Sequence, residues 1–72
     1  MKIEELVEIL REEERKVRWE SDDLMNEAFY EYDYGTLEDA EYIETLAAAK
    51  AQEAERLWSI IERYLNATFN RN

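Results

Sequence analysis

Hydrophobic residues recur in two stretches at spacings of three, four and seven residues, the pattern of one face of an α-helix. The first stretch ends at Tyr32 and the second begins at Leu37. The positions that share this spacing are Ile3, Leu6, Val7, Leu10, Val17, Leu24, Ala28 and Tyr32, then Leu37, Ala40, Ile43, Ala47, Ala51, Ala54, Trp58, Ile61 and Leu65. The pattern predicts an all-α protein with helices over about residues 2–33 and 37–66.

The break between the two stretches has the chemistry of a tight turn over residues 34–36. Gly35 is the only glycine, there is no proline, and a glycine here suits the left-handed position that ends many helices. Thr36 suits the N-cap of the next helix, with Asp39 at the third position of an imperfect capping box. We therefore predict an antiparallel two-helix hairpin, followed by a frayed polar tail over residues 67–72.

Two polar residues interrupt the hydrophobic stripe of the first helix. Ser21 begins the run Ser-Asp-Asp, whose side chains favour caps and turns, so a break over residues 21–23 would give three helices. The stripe continues beyond this run, which favours the unbroken hairpin. Glu14 comes roughly level with Arg56 in the hairpin, either paired with it or solvated beside a wider seam.

The chain is short for an independent fold. Its 72 residues form one domain, and without cysteine or histidine neither a disulfide nor a structural zinc site is expected. Two helices of about 45 Å share only one seam, whereas the alanines of residues 47–54 would let further helices approach closely. We therefore expect a homodimer that forms a four-helix bundle. In topology and length this resembles the Rop-type hairpin dimers of plasmid copy-number control, whose RNA-binding function needs an exposed basic face that this chain lacks.

The net charge of −10 is concentrated in one part of the chain. Residues 19–49 contain ten acidic residues and no basic one, whereas the remaining residues contain nine of each. The hairpin brings residues 19–49 together at the turn end, which we call the acidic tip. Folded back on itself, this stretch is about 23 Å long, so its charge spacing of about 2.3 Å approaches the 1.7 Å of duplex DNA.

Aromatic residues accompany the acids of the tip. At 100° per residue, Trp19, Asp23, Glu27, Tyr30 and Tyr34 share the side of the first helix opposite Ala28. Exposed Trp and Tyr are frequent binding hot spots, although the same aromatics would also suit the core of a homodimer. The predicted partner-binding residues are Trp19, Glu20, Asp23, Glu27, Tyr30, Glu31, Tyr34, Glu38, Glu41 and Tyr42.

In size, acidity and lack of catalytic residue types, the chain resembles the short phage-encoded anti-CRISPR and DNA-mimic proteins. The resemblance implies an inhibitor in the host cytoplasm that occupies the basic, nucleic-acid-binding surface of another protein. A structural or adaptor bundle, acidic only for solubility, is the alternative. A cytoplasmic location also fits the N-terminus, which is unlike a signal peptide, and the lack of any apolar run of about 20 residues. We expect no direct binding of nucleic acid, no catalytic residues and no cofactor.

One carboxylate pattern offers a second alternative, an enzyme. Glu4, Glu5 and Glu8, followed by Glu20 and Asp23, resemble the metal motif of the MazG-type nucleotide pyrophosphohydrolases. The resemblance implies a magnesium site at these five residues. The spacing is slightly short for that family, and the basic residues that bind its substrate are missing.

Overall fold

The computed structural model describes residues 2–69 of the 72, with side chains for residues 2–67. Helix α1 spans Ile3–Tyr34 and helix α2 spans Leu37–Phe69. The two pack antiparallel over their length and form a rod of 56 × 16 × 14 Å. This confirms the predicted all-α hairpin. Within residues 2–69, neither helix combines the length and apolar composition needed to span a membrane.

The bounds differ slightly from those predicted. Two residues, Gly35 and Thr36, connect the helices, and α2 continues through residues 67–69, which we had placed in a frayed tail. Residues 70–72 of that tail lie outside the described residues. The chain does not break at residues 21–23, where α1 is continuous.

Of the two predictions made for the turn, the N-cap at Thr36 is confirmed and the left-handed conformation of Gly35 is wrong. Thr36 is the N-cap of α2, since its Oγ1 accepts a hydrogen bond of 3.2 Å from the backbone N–H of Asp39. Gly35 has φ −113°, not the positive φ predicted for it. Its N–H donates to the carbonyl oxygen of Glu31 at 2.8 Å, so the last turn of α1 closes with an ordinary helical hydrogen bond.

The seam between the helices is narrow and repeats every seven residues, as in an antiparallel coiled coil. Ser21 fixes the register, because its hydroxyl donates a buried hydrogen bond of 2.9 Å to the carbonyl oxygen of Ala47. This bond gives the hydroxyl a partner outside its own helix, which explains why Ser21 does not break α1. The buried residues at the seven-residue steps are Val7, Glu14, Ser21 and Ala28 on α1, and Ala40, Ala47, Ala54 and Ile61 on α2.

Five residues expected in the core are exposed instead. Leu37, Tyr32, Trp58 and Ile3 are 63%, 44%, 43% and 37% exposed, and Ala51 is also exposed. A seven-residue seam buries only two positions per heptad on each helix, so residues next to these positions remain half open.

Glu14 is buried on the seam, as its position predicted, but its partner is not Arg56. Arg18, one turn further along α1, donates through Nε to a Glu14 carboxylate oxygen at 2.7 Å and forms an ion pair with it. The arginine side chain is 57% exposed, so the pair connects a buried carboxylate to solvent.

Candidate protein interface at the acidic tip

The turn at Gly35 and Thr36 brings the acidic halves of both helices together at one end of the rod. Eight of the ten acidic residues between positions 19 and 49 are exposed, and the other two, Glu20 and Glu31, are half-buried. The tip therefore presents most of its negative charge to solvent.

Lys50 is the first basic residue after the acidic stretch of residues 19–49 and lies at the end of the acidic tip that is farthest from the turn. Lys50 Nζ lies 3.0 Å from a carboxylate oxygen of Glu20 and 3.9 Å from one of Glu53. The hydrogen bond to Glu20 and the negative charge of that residue raise the pKa of Lys50. Glu20, which the sequence placed among the partner-binding residues, is thus already engaged within the chain.

The aromatic residues predicted at the interface are among the most exposed large hydrophobic side chains of the described residues. Trp19, Tyr30, Tyr34 and Tyr42 are 67%, 62%, 78% and 66% exposed. The rings of Tyr30 and Tyr34 lie one helical turn apart, with centroids separated by 5.1 Å and planes tilted by 41°. Each ring restricts the other, which lowers the conformational entropy that both would lose on binding.

The predicted residues divide between two sides of the tip. Tyr30 and Tyr34 lie on one side of α1. Tyr32, two residues and therefore 200° from both Tyr30 and Tyr34, lies on the other side. We call the first the tyrosine side, defined by Tyr30 and Tyr34, whereas Tyr42 is exposed on the other helix. Trp19 is some 22 Å from Tyr34 along α1, so it marks the lower limit of the surface.

Glu41 belongs to the other side of the tip. An open groove there is lined by Tyr32, Glu41, Glu44, Thr45 and Ala48. The hydroxyl of Tyr32 donates a hydrogen bond of 2.6 Å to Glu44, and this bond raises the pKa of Tyr32, with a further contribution from the nearby charges. The structure therefore separates Glu41 from the tyrosine side with which it was grouped.

Sequence reasoning missed four exposed hydrophobic side chains of the tip, which are Phe29, Tyr32, Leu37 and Leu46. Phe29 is 57% exposed, and its 100° offset from Ala28 gave a signal that could have been used. Leu37 and Tyr32 carried no such signal, because both fall on the hydrophobic stripe. The Tyr32–Glu44 bond depends on the register between the helices, which the sequence pattern leaves open.

No protein-family model, no curated protein and no solved structure matches the chain. Any function assigned to the tip therefore rests on its geometry and charge.

The five carboxylates of the MazG-like pattern do not come together within the chain. Glu8 and Glu20 are twelve residues apart on one unbroken helix, a separation of about 18 Å. Among the described residues, no group of three or more His, Cys, Asp or Glu side chains is arranged to hold a metal ion. The geometry of a single hairpin gives this reading no support.

Proposed function

We propose that the protein is an acidic, non-enzymatic inhibitor whose tip occupies the basic, nucleic-acid-binding surface of another protein, in the manner of anti-CRISPR and DNA-mimic proteins. The observation that carries this proposal is the exposure of eight carboxylates in a stretch without any basic residue, beside six exposed aromatic side chains. A merely solubilising surface has no need for exposed tryptophan and tyrosine among its charges.

The two kinds of side chain have different roles in this proposal. The carboxylates of Asp23, Glu27, Glu31, Glu38 and Glu41 replace phosphates and set the rate and orientation of the encounter with a basic partner. Exposed ion pairs contribute little free energy each. Trp19, Tyr30 and Tyr34 supply the apolar area that is removed from water when the complex forms and thereby contribute more of its affinity.

A second candidate function, a structural or adaptor bundle, is favoured by a different observation. Among residues 2–67, thirteen large hydrophobic side chains are at least about one-third exposed on a single hairpin, more than one acidic interface would cover. Self-association accounts for part of this surface, and it is compatible with an inhibitor that acts as a dimer.

The proposal is tested by capture from a nuclease-treated bacterial lysate on the immobilised full chain. We expect a nucleic-acid-binding protein to be retained at low salt, and to be released both by moderate salt and by added duplex DNA or RNA at constant salt. Release by nucleic acid at constant salt separates competition for one surface from general charge screening. Retention that is unaffected by added nucleic acid would contradict the proposal.

A further inference from the structure

The hairpin exposes more surface than a compact protein of its mass. Its accessible surface is 5841 Å², whereas a compact monomer of this size exposes about 4,700 Å². Its radius of gyration is 16.4 Å, against about 11 Å for a compact domain. The excess of roughly 1,100 Å² per chain, doubled for two chains, falls in the range of obligate dimer interfaces.

One lateral face of the rod has the composition expected of an interface that would bury this excess surface. The Tyr32–Glu44 hydrogen bond marks the face near the turn, and a groove that contains Arg11 and Leu65 marks it at the opposite end. Steps of seven residues connect these points along both helices, and we call the result the Trp58 face. On α1 these steps run from Arg11 through Arg18 to Tyr32, and on α2 from Leu37 through Ala51 and Trp58 to Leu65. Ala48, which lines the groove beside Tyr32, completes the face.

On α2, the middle of the Trp58 face is small and apolar, whereas the middle of the opposite face is charged. Ala48 and Ala51 are exposed there, and Trp58 lies two turns beyond Ala51. On the opposite face, Lys50 forms its ion pairs with Glu20 and Glu53. A two-fold axis would bring that charged cluster against its own copy and remove it from water, which is costly. The alanines of α2 can meet their own copies without this penalty, and Arg18, the charged residue of the Trp58 face at this level on α1, is already paired with Glu14.

The charge of Arg11 on the Trp58 face and that of Glu41, in the groove beside it, determine the direction of packing. Ser21 is level with Ala47, so Glu41 is level with residue 27 of α1. A two-fold axis through the midpoint of Ile3–Tyr34 places residue 10 of an antiparallel copy level with residue 27 of the first chain. This level is about 1.5 Å from that of Arg11 in the copy. An antiparallel copy thus brings Glu41 opposite Arg11, whereas a parallel copy would bring the two acidic tips together.

Arg11 itself lacks a partner for one of its donors. Its Nε is buried and has no hydrogen-bond acceptor among the described residues, although buried N–H groups nearly always have one. Nε itself is closed to solvent within the hairpin, but Arg11 as a whole is only half-buried, so its exposed part can meet a carboxylate of a second chain. In the same antiparallel arrangement, Ala48 of one copy comes level with Ala51 of the other, on either side of the two-fold axis.

We propose that two copies of this chain associate through the Trp58 face, antiparallel, with each acidic tip beside the arginines of the other copy. The tyrosine side stays exposed at both ends of this four-helix assembly. The inference rests on surface area, charge and register, and it stands whether or not the tip binds a basic partner.

The face is tested by two matched substitutions of exposed alanines, measured by sedimentation equilibrium of the full chain. Ala51→Glu adds a charge beside the two-fold axis and is expected to raise the dimer dissociation constant at least 30-fold, about the effect of losing an interface hot spot. Ala49→Glu adds the same charge 200° away around α2 and is expected to leave the constant unchanged. A monomeric wild-type chain, or equal effects of the two substitutions, would overturn the proposal.

The measurement remains decisive if the isolated hairpin unfolds. The thermal midpoint, followed by circular dichroism, must then rise with protein concentration for the wild type and Ala49→Glu. It must lose this dependence in Ala51→Glu. A midpoint that is independent of concentration in the wild type would contradict the dimer.

The orientation is tested by exchanging the charges of Arg11 and Glu41. Arg11→Glu and Glu41→Arg are each expected to weaken the dimer by roughly fivefold or more, and the double exchange should restore most of the affinity. The two residues lie some 24 Å apart along a single hairpin, so restoration requires a contact between chains. Additive weakening in the double variant would overturn the antiparallel register.

Discussion

The two ends of the hairpin share one seam but fill it differently. Toward the termini, Val7, Val17 and Ile61 are buried, whereas toward the turn the buried residues are Ala28 and Ala40. The large apolar side chains of the turn end point outward instead, and Tyr30, Tyr34 and Tyr42 are each more than 60% exposed. The end with the net negative charge is also the end with the smaller core.

This difference indicates that the base of the rod contributes more to the free energy of folding than the tip does. Free energy of folding comes mainly from the base, where apolar area is buried within the chain. The alanine core of the tip lets the helices approach closely but buries little area. The tip therefore leaves its aromatic rings and carboxylates exposed, as the proposed binding function requires, at a cost in its own stability.

The largest effect that tests this comparison is the loss of a base side chain. Ile61 is fully buried, so Ile61→Ala should lower the free energy of unfolding by about 3 kcal/mol. Tyr42→Ala, which removes a larger but exposed side chain at the tip, should change it by less than about 0.5 kcal/mol. Urea unfolding followed by circular dichroism measures both. Comparable losses would show that the tip also contributes to folding.

Overfilling the alanine seam should have the next largest effect. Ala47 is 1% exposed and lies against the Ser21 hydroxyl, so Ala47→Leu should destabilise the hairpin by about 1–3 kcal/mol. Ala49→Leu adds the same volume at an exposed position and serves as the control. If both variants are equally stable, the close approach of the helices is wrong.

Variants at Glu14 and Arg18 separate the effect of the ion pair on stability from the effect of burying a carboxylate. Arg18→Ala leaves Glu14 buried without its partner and should cost about 1–2 kcal/mol, less than for a wholly buried pair because the arginine is 57% exposed. Glu14→Leu removes the buried charge and should be neutral or stabilising. Thermal unfolding of both variants decides the matter, and a strong loss in Glu14→Leu would mean that the ion pair itself stabilises the fold.

The smallest effect is expected at alkaline pH. The pKa values of Tyr32 and Lys50 are raised above 10.0 and 10.5 by their hydrogen bonds to Glu44 and Glu20. Their stabilising contributions are present below the unfolded-state values and are lost as the pH rises through the folded-state values. Stability should therefore decline above about pH 10, less steeply in Tyr32→Phe than in the wild type. Identical alkaline limbs in the two proteins would show that the Tyr32–Glu44 bond is not formed.

The architecture could be predicted from the sequence because two signals agree on it. The helical spacing defines both elements, and Thr36 caps the second. The exposure of individual stripe positions could not be predicted, since Ala54 and Trp58 differ by only 40° around α2 and yet are 2% and 43% exposed.

Details that depend on the register between the helices could not be predicted from the sequence either. Glu14 could pair across the seam with Arg56 or along α1 with Arg18, and both spacings are reasonable before the register is known. The composition of the acidic tip could be predicted. Its division into two sides could not, because the positions of Tyr32, Glu41 and Glu44 relative to the opposite helix depend on the register.

The central claim, that the acidic tip is the binding surface, is tested most directly by a matched pair of charge reversals. Glu27→Lys with Glu31→Lys reverses two charges at the tip, and Glu5→Lys with Glu12→Lys reverses two exposed charges at the base. Both double variants have the same net charge. Capture of the nucleic-acid-binding protein from lysate should be abolished by the tip reversal and retained after the base reversal, with helix content unchanged in both. Equal loss in the two variants, or normal capture by the tip variant, would contradict the account.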